Sequence, residues 1–205
     1  MSSAADPDPE RLLLLARGGS APALGQLLEL YRDYLALLAR LQISRRLQSK
    51  VDAADLVQET FMEAHEHFAG FRGSTEGELV SWLRQILATT LANLVRHYCG
   101  TQRRDIRLER DLADELGESS RALDRGLMAK HSSPSQRAAR REQAVLLADA
   151  LARLPADYRE VIILRHLEGL KFAEVAGRMG STVDRVKKMW TPALAELRSA
   201  LGGPG

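Results

Sequence analysis

Phe172-Ala173-Glu174-Val175-Ala176-Gly177-Arg178-Met179-Gly180-Ser181-Thr182-Val183-Asp184-Arg185-Val186-Lys187-Lys188 decides how the whole chain is read. Phe172, Val175, Ala176 and Met179 fall at i, i+3, i+4 and i+7, a spacing that predicts a short amphipathic helix over 172–179. Gly180-Ser181 supplies a tight turn, and Thr182 is a residue type that caps a following helix through its hydroxyl. That second helix carries Arg185, Lys187 and Lys188. Two short helices about a glycine turn, with cations on the second, form a helix-turn-helix. In this motif the second helix lies in the major groove of DNA, which would place Thr182, Asp184, Arg185 and Lys188 near base edges or phosphates. A helical hairpin with a solvated, charged outer face accounts for the same residues, and both readings stand at this point.

Upstream, Pro155-Ala156-Asp157-Tyr158-Arg159-Glu160 opens another helix, with Asp157 as the expected cap and Glu160 completing a capping box ahead of the apolar run Val161–Leu164. Gly169 supplies the left-handed residue that ends it. Residues 136–200 thus divide into helices at Leu154–Ala156, Gly169 and Gly180. Residues 10–98 show the same periodicity, with breaks near Gly18–Gly19, Ser44–Asp52 and Gly70–Gly77. No stretch alternates with period two, so the expected fold class is all-α. Between the two halves the chain is rich in Arg, Asp, Glu and Ser, and ends in Ser132-Ser133-Pro134-Ser135. Such a segment buries little surface and reads as a polar linker, helical in part. The expected organisation is two small helical domains, 1–99 and 136–205, tethered by residues 100–135, with the helix-turn-helix in the second.

Within the first half, Asp52-Ala53-Ala54-Asp55-Leu56-Val57-Gln58-Glu59-Thr60-Phe61 begins a helix that reaches Phe68. Val57, Phe61, Ala64 and Phe68 make one apolar stripe, and Asp55, Gln58, Glu59, Met62 and Glu66 make the opposite one. A solvated face explains those acids as well as a docking surface for a basic partner does. A further helix over Leu79–Tyr98 buries Leu79, Leu83, Ile86, Leu87, Leu91 and Leu94. Its other face carries Trp82, Gln85, Thr89, Asn93, Arg96 and His97, a set suited to stacking on unpaired bases and holding a phosphate backbone. A tryptophan so placed is, however, more often a core residue than a platform. The glycine-containing loop Ala69–Glu78 with Arg72 either closes over an extruded base or simply turns the chain.

Composition narrows the function classes. The chain has 205 residues, 45% hydrophobic and 27% charged, with a net charge of +2. Those proportions exclude a collagen-like, mucin-like or wholly disordered protein. No apolar run approaches the roughly 20 residues of a membrane span. The run Leu12–Leu15 is too short for a signal-peptide core and follows Asp6, Asp8 and Glu10, so a cytoplasmic location is expected. Residues 1–98 hold 10 basic and 12 acidic side chains and residues 99–205 hold 19 and 15, so the balance turns basic along the chain. Cys99 has no partner for a disulfide, and His65, His67, His97, His131 and His166 show no metal-ligand spacing. There is no phosphate-binding glycine loop and no nucleophile elbow, and neither an enzyme activity nor a cofactor is expected.

In their order and separation these pieces resemble the extracytoplasmic-function (ECF) group of bacterial RNA polymerase sigma factors. The resemblance spans most of residues 10–200. It rests on Asp52–Phe61 with its Asp-Leu-Val-Gln-Glu-Thr-Phe core, on Trp82-Leu83-Arg84-Gln85-Ile86, and on Leu154-Pro155 through Leu197-Arg198 with Glu168-Gly169-Leu170 and Phe172–Ala176. It implies that Asp52, Asp55, Leu56, Gln58, Glu59 and Met62 dock on the β′ coiled coil of core RNA polymerase. It assigns Phe71, Arg72, Trp82, Gln85, Thr89, Thr90, Asn93 and Arg96 to the melted minus-ten element of promoter DNA. It gives Arg178, Thr182, Asp184, Arg185, Lys187 and Lys188 to the minus-thirty-five element, next to the β flap. It makes the linker a thread toward the RNA exit path, and an anti-sigma protein an expected inhibitor. The protein would then be a dissociable initiation factor that also assists promoter melting. The alternative is a stand-alone helix-turn-helix regulator.

Several positions depart from the family. Thr89-Thr90 replaces a common cation–asparagine pair, Lys171 stands where a capping Ser is usual, and Gly177 lies inside the first helix of the motif. Thr191-Pro192 interrupts the recognition helix, where proline removes the bond to the Lys188 carbonyl. The expectation is a kink near Lys188–Thr191, or an early end with a new helix at Pro192.

Overall fold

The computed structural model describes residues 8–46, 52–99, 106–126 and 134–201, and these are helical with short connections. The chain divides into two compact units, Met1–Ser120 and Arg121–Gly205. No helix among the described residues is long and apolar enough to cross a membrane.

In the first unit α1 (Pro9–Arg17) starts on the Asp8 carboxylate, which accepts from the Glu10 amide at 3.1 Å. Gly19, at φ 93°, turns the chain into α2 (Ala21–Glu29), which Ser20 caps. A break at Leu30–Tyr31 that the periodicity did not show separates α2 from α3 (Arg32–Arg46). There the buried Tyr31 phenol donates to Glu76 Oε1 at 3.1 Å, and burial first, then the Glu76 charge, pushes its pKa well above the ordinary value. A buried hydroxyl needs a partner, and this one fixes the start of α3 beside the start of α5. The helix α4 (Ala53–His67) begins at Asp52, whose carboxylate accepts from the Ala54 amide at 2.9 Å. A single 3₁₀ turn, Phe68–Gly70, and an open loop lead to α5 (Glu76–Cys99). The apolar stripe of α4 is inward as expected, with Val57, Ala64 and Phe68 buried and Phe61 partly so. It packs between α3 and α5.

The polar segment does more than connect. Residues Ile106–Gly126 form α6, in which Leu112, Leu116 and Ser119 lie on one side and are buried. Gln42 Nε2, on α3, donates to Ser119 Oγ at 3.3 Å. The segment expected to be a polar linker, helical in part, thus holds a helix with a buried side. Two leucines four residues apart suffice for a narrow seam, although the surrounding composition is strongly polar.

In the second unit α7 (Pro134–Arg153) turns Ala144, Leu147, Ala148 and Leu151 inward. The helix α8 (Ala156–Ile162) runs into one π-helical turn, Ile163–Leu167, closed by a bond from the Glu168 amide to the Ile163 carbonyl at 2.9 Å. Asp157 is not the cap of α8. Pro155 occupies that position, its carbonyl accepting from the Arg159 amide, and Asp157 sits in the first turn, where a carboxylate still favours the helix dipole. Gly169 has the expected left-handed φ, 75°. The helices α9 (Phe172–Arg178) and α10 (Val183–Ala200) complete the unit.

Proline does not end α10, which runs unbroken from Val183 to Ala200 with Pro192 inside it. Val186 before the proline and Ala193 and Leu197 after it are all buried, and α10 packs along α8. Burial on both sides of Pro192 holds the two halves in one helix despite the lost hydrogen bond. Pro192→Ala restores that bond, so it is expected to stabilise this unit by up to about 3 kcal/mol. Thermal unfolding checks this; an unchanged or lower melting temperature contradicts it.

Candidate nucleic-acid and protein-docking interfaces

The outer face of α4 follows from its inner one. With Val57, Thr60 and Ala64 buried, Asp55, Gln58, Glu59, Met62 and Glu66 are exposed along one side. Met62 is 65% exposed among the carboxylates, an adaptable apolar contact inside an acidic strip. Two of the residues assigned to docking are differently placed. Asp52 spends its carboxylate on the helix start, and Leu56 is 1% exposed, so it supports the face from beneath. Its side chain points inward because the buried arc of α4 is wider than a single i, i+4 row.

Beyond α4, Phe68, Phe71 and Trp82 form an aromatic cluster. Ring centroids are 5.8 Å apart for Phe68–Phe71, 6.0 Å for Phe68–Trp82 and 5.0 Å for Phe71–Trp82. Trp82 is half-buried, so it is both a core residue on one side and open on the other. Phe71, expected at the DNA surface, is only 9% exposed. It is drawn under the loop because packing against two neighbouring rings removes its apolar area from water. Arg72 next to it is exposed.

The loop itself is pinned. Thr75 caps α5, its hydroxyl accepting from the Glu78 amide at 3.3 Å, while Glu78 Oε2 accepts from the amides of Ser74 at 2.8 Å and Thr75 at 3.1 Å. This is a capping box. The Ser74 and Thr75 hydrogen bonds hold the Glu78 carboxyl below the usual carboxylate range. From α1, Arg17 Nη1 donates to the Gly73 carbonyl at 3.1 Å. The Thr75-x-x-Glu78 pattern was readable in the sequence; the reach from Arg17 to Gly73 had no local signal.

Along α5, Gln85 and Asn93 are exposed and Thr89 and Arg96 half-buried, giving one polar row that continues from Trp82. Arg96 Nη2 donates to Asn93 Oδ1. Thr89 and Thr90 both return their hydroxyls to the preceding turn, to the carbonyls of Gln85 at 3.1 Å and Ile86 at 3.0 Å. Only Thr89 belongs to the row. Thr90 is 3% exposed and faces the core, because one residue further along a helix is a rotation of about 100°.

In the second unit Val161, Leu164, Val175, Ala176 and Val186 form the core that fixes α9 against α10. The turn is tight: Gly180 has φ 57°, and the Ser181 amide reaches back to the Ala176 carbonyl at 2.9 Å. Thr182 Oγ1 accepts from the Arg185 amide at 3.3 Å, so it caps α10 as expected. Lys171 has no acceptor to cap α9, and Glu174 compensates by accepting from the Lys171 amide at 2.6 Å. With Val186 inward, Asp184, Arg185, Lys187 and Lys188 are exposed on the outer side of α10, and Arg178 is exposed at the end of α9.

Behind that surface lies a contact the periodicity did not show. Trp190 Nε1 donates to His166 Nε2 at 2.8 Å, and the Trp190 ring meets Phe172 edge-on at 5.6 Å. Burial, then the Arg165 charge, lowers the His166 pKa, and an imidazole accepting at Nε2 is neutral there. On acidification the unfolded chain therefore takes up the proton first, near pH 6.5, while the folded one resists. This stabilisation is complete above that pH and is lost as pH falls through the lower folded value. Melting of this unit is expected to drop more between pH 8 and pH 5 than in His166→Gln, which thermal scans of the two proteins measure.

Comparison with known proteins finds matches over both halves of the chain. A family model described as Sigma-70 region 2 matches residues 30–104, and one described as Sigma-70, region 4 matches residues 144–197. The chain is 30% identical to the ECF RNA polymerase sigma factor BldN of Streptomyces coelicolor, over 97% of this chain and 69% of that protein. It is 29% identical to the ECF RNA polymerase sigma-E factor of Haemophilus influenzae over 82% of each chain. To RNA polymerase sigma factor YlaC of Bacillus subtilis it is 28% identical, over 83% of this chain and 88% of that protein. A helix-turn-helix regulator accounts for the second match and leaves the first unexplained. With both halves matched in order, the chain belongs to the ECF sigma factors of the sigma-70 family, the non-enzymatic initiation factors that direct RNA polymerase to promoters.

Proposed function

We propose that the two helical units divide promoter recognition and polymerase docking between them. The acidic face of α4, through Asp55, Gln58, Glu59 and Met62, docks on the β′ coiled coil, with Asp52 and Leu56 holding the helix in shape. The α5 row, through Trp82, Gln85, Thr89, Asn93 and Arg96 together with Arg72, receives unpaired minus-ten bases, and Phe71 and Thr90 support it from within. The helix-turn-helix reads the minus-thirty-five duplex through Arg178, Thr182, Asp184, Arg185, Lys187 and Lys188, beside the β flap. Strand separation is offset by capture of unstacked bases on Trp82. Its partners in the cytoplasm are core RNA polymerase, promoter DNA and an anti-sigma protein that occludes the same faces.

The observation that carries this reading is the continuous surface of Trp82, Gln85, Thr89, Asn93 and Arg96, an aromatic platform leading into a polar row. Nucleobases stack on aromatic faces with little regard to sequence, and neighbouring amides and cations add selection and phosphate contacts. The net charge of +2 releases few counterions, so the free chain binds DNA weakly and gains affinity within the polymerase. Titration of the purified chain into core RNA polymerase tests the reading. Stoichiometric co-migration, followed by opening of promoter DNA, is the expected result; a folded chain that does not bind overturns it.

A further inference from the structure

The loop between Phe71 and Thr75 is held from three directions. From below, Phe71 stacks on Phe68 and packs, tilted, against Trp82. From the α5 side, Glu78 gathers the Ser74 and Thr75 amides. From α1, Arg17 takes the Gly73 carbonyl at 3.1 Å, across 56 residues of sequence. Gly73 lies against Phe71 so closely that an added Cβ would stand 2.3 Å from the ring. Fixing the Gly73 carbonyl therefore fixes the ring, and through it the inner side of Trp82.

We infer that Arg17 is a positioning residue for minus-ten recognition: its bond to the Gly73 carbonyl holds the 71–75 loop in the shape that selects an unpaired base at Trp82. The inference rests on the proposed reading of unpaired bases by α5. Arg17 precedes the residues matched to region 2, which begin at residue 30. The site is ordered before DNA arrives, so the cost of arranging the loop is not taken from the binding energy of the base. The guanidinium reaches one carbonyl and is otherwise at the surface, at the end of α1, where a cation also suits the helix dipole.

The test uses holoenzyme reconstituted from core RNA polymerase and the full chain. The probe is a synthetic promoter duplex left unpaired across the minus-ten element, with each of the four bases placed in turn along the unpaired strand. The wild type is expected to prefer one base at one position. Arg17→Ala should reduce that preference about tenfold, the equivalent of roughly 1.4 kcal/mol, with polymerase affinity and binding to the minus-thirty-five duplex unchanged. Arg17→Lys, which keeps a donor able to reach the carbonyl, should recover part of it. A preference unchanged in Arg17→Ala overturns the inference. So does an equal loss of affinity for all four bases, which would make Arg17 a phosphate contact, or a loss of polymerase binding, which would place its role in docking. A wild-type holoenzyme with no base preference at any position overturns the base-reading proposal itself, a result distinct from the others.

Discussion

Glu59→Lys is expected to lower affinity for core RNA polymerase at least 30-fold, or about 2 kcal/mol. The melting temperature should scarcely change. Glu59 is exposed, so its substitution disturbs no packing, and surface changes of this kind usually alter stability by only about 0.5 kcal/mol. Reversal both removes an attraction and adds a repulsion in the middle of a strip shared with Asp55 and Glu66, and coupling between close charges across an interface is about 1.5–7 kcal/mol. Glu10→Lys makes the same change in net charge on α1 and should bind as the wild type does. Co-migration of each variant with core polymerase, measured at two salt concentrations, separates the two. Equal losses for both would reduce the effect to overall charge and remove α4 as the docking face.

The second large effect is expected at Gly73. An added Cβ would lie 2.3 Å and 2.7 Å from two atoms of the Phe71 ring and 2.8 Å from Glu78 Cβ. Either the ring leaves its place against Trp82 or α5 gives way at its first turn. Overpacking of this kind costs about 1–3 kcal/mol, and the displaced ring alters the platform on which bases are proposed to stack. Gly73→Ala should therefore slow promoter opening by about tenfold or more while polymerase binding is retained. Strand opening by permanganate reactivity measures the first, and co-migration the second. Phe71→Ala in the same chain makes room for the methyl group, so the double variant should be less impaired than the two separate losses imply. Additive losses would show that the ring does not transmit the clash.

What the sequence made legible follows from the range of the forces involved. Helix periodicity is local: residues three and four apart share a face whatever they later meet. The α4 and α5 stripes, the helix-turn-helix, the left-handed Gly169 and Gly180 and the Thr182 cap are all found where spacing and residue type put them. Capping was less secure, since Pro155 rather than Asp157 opens α8 and only tertiary context chooses among adjacent candidates.

Residue spacing alone thus makes the chain helical, in two parts, with an acidic strip, a polar row and a basic second helix in the helix-turn-helix. Long-range packing settles where the borderline residues go. Leu56 packs beneath the acidic strip, and Phe71 closes beneath the loop. Packing carries α10 through Pro192, and Gln42 meets Ser119 across 77 residues to seat a helix whose composition reads as linker. Arg17 likewise reaches Gly73 across 56. In each case the deciding energy is burial or a hydrogen bond between segments distant in sequence, and such contacts leave no mark on local spacing.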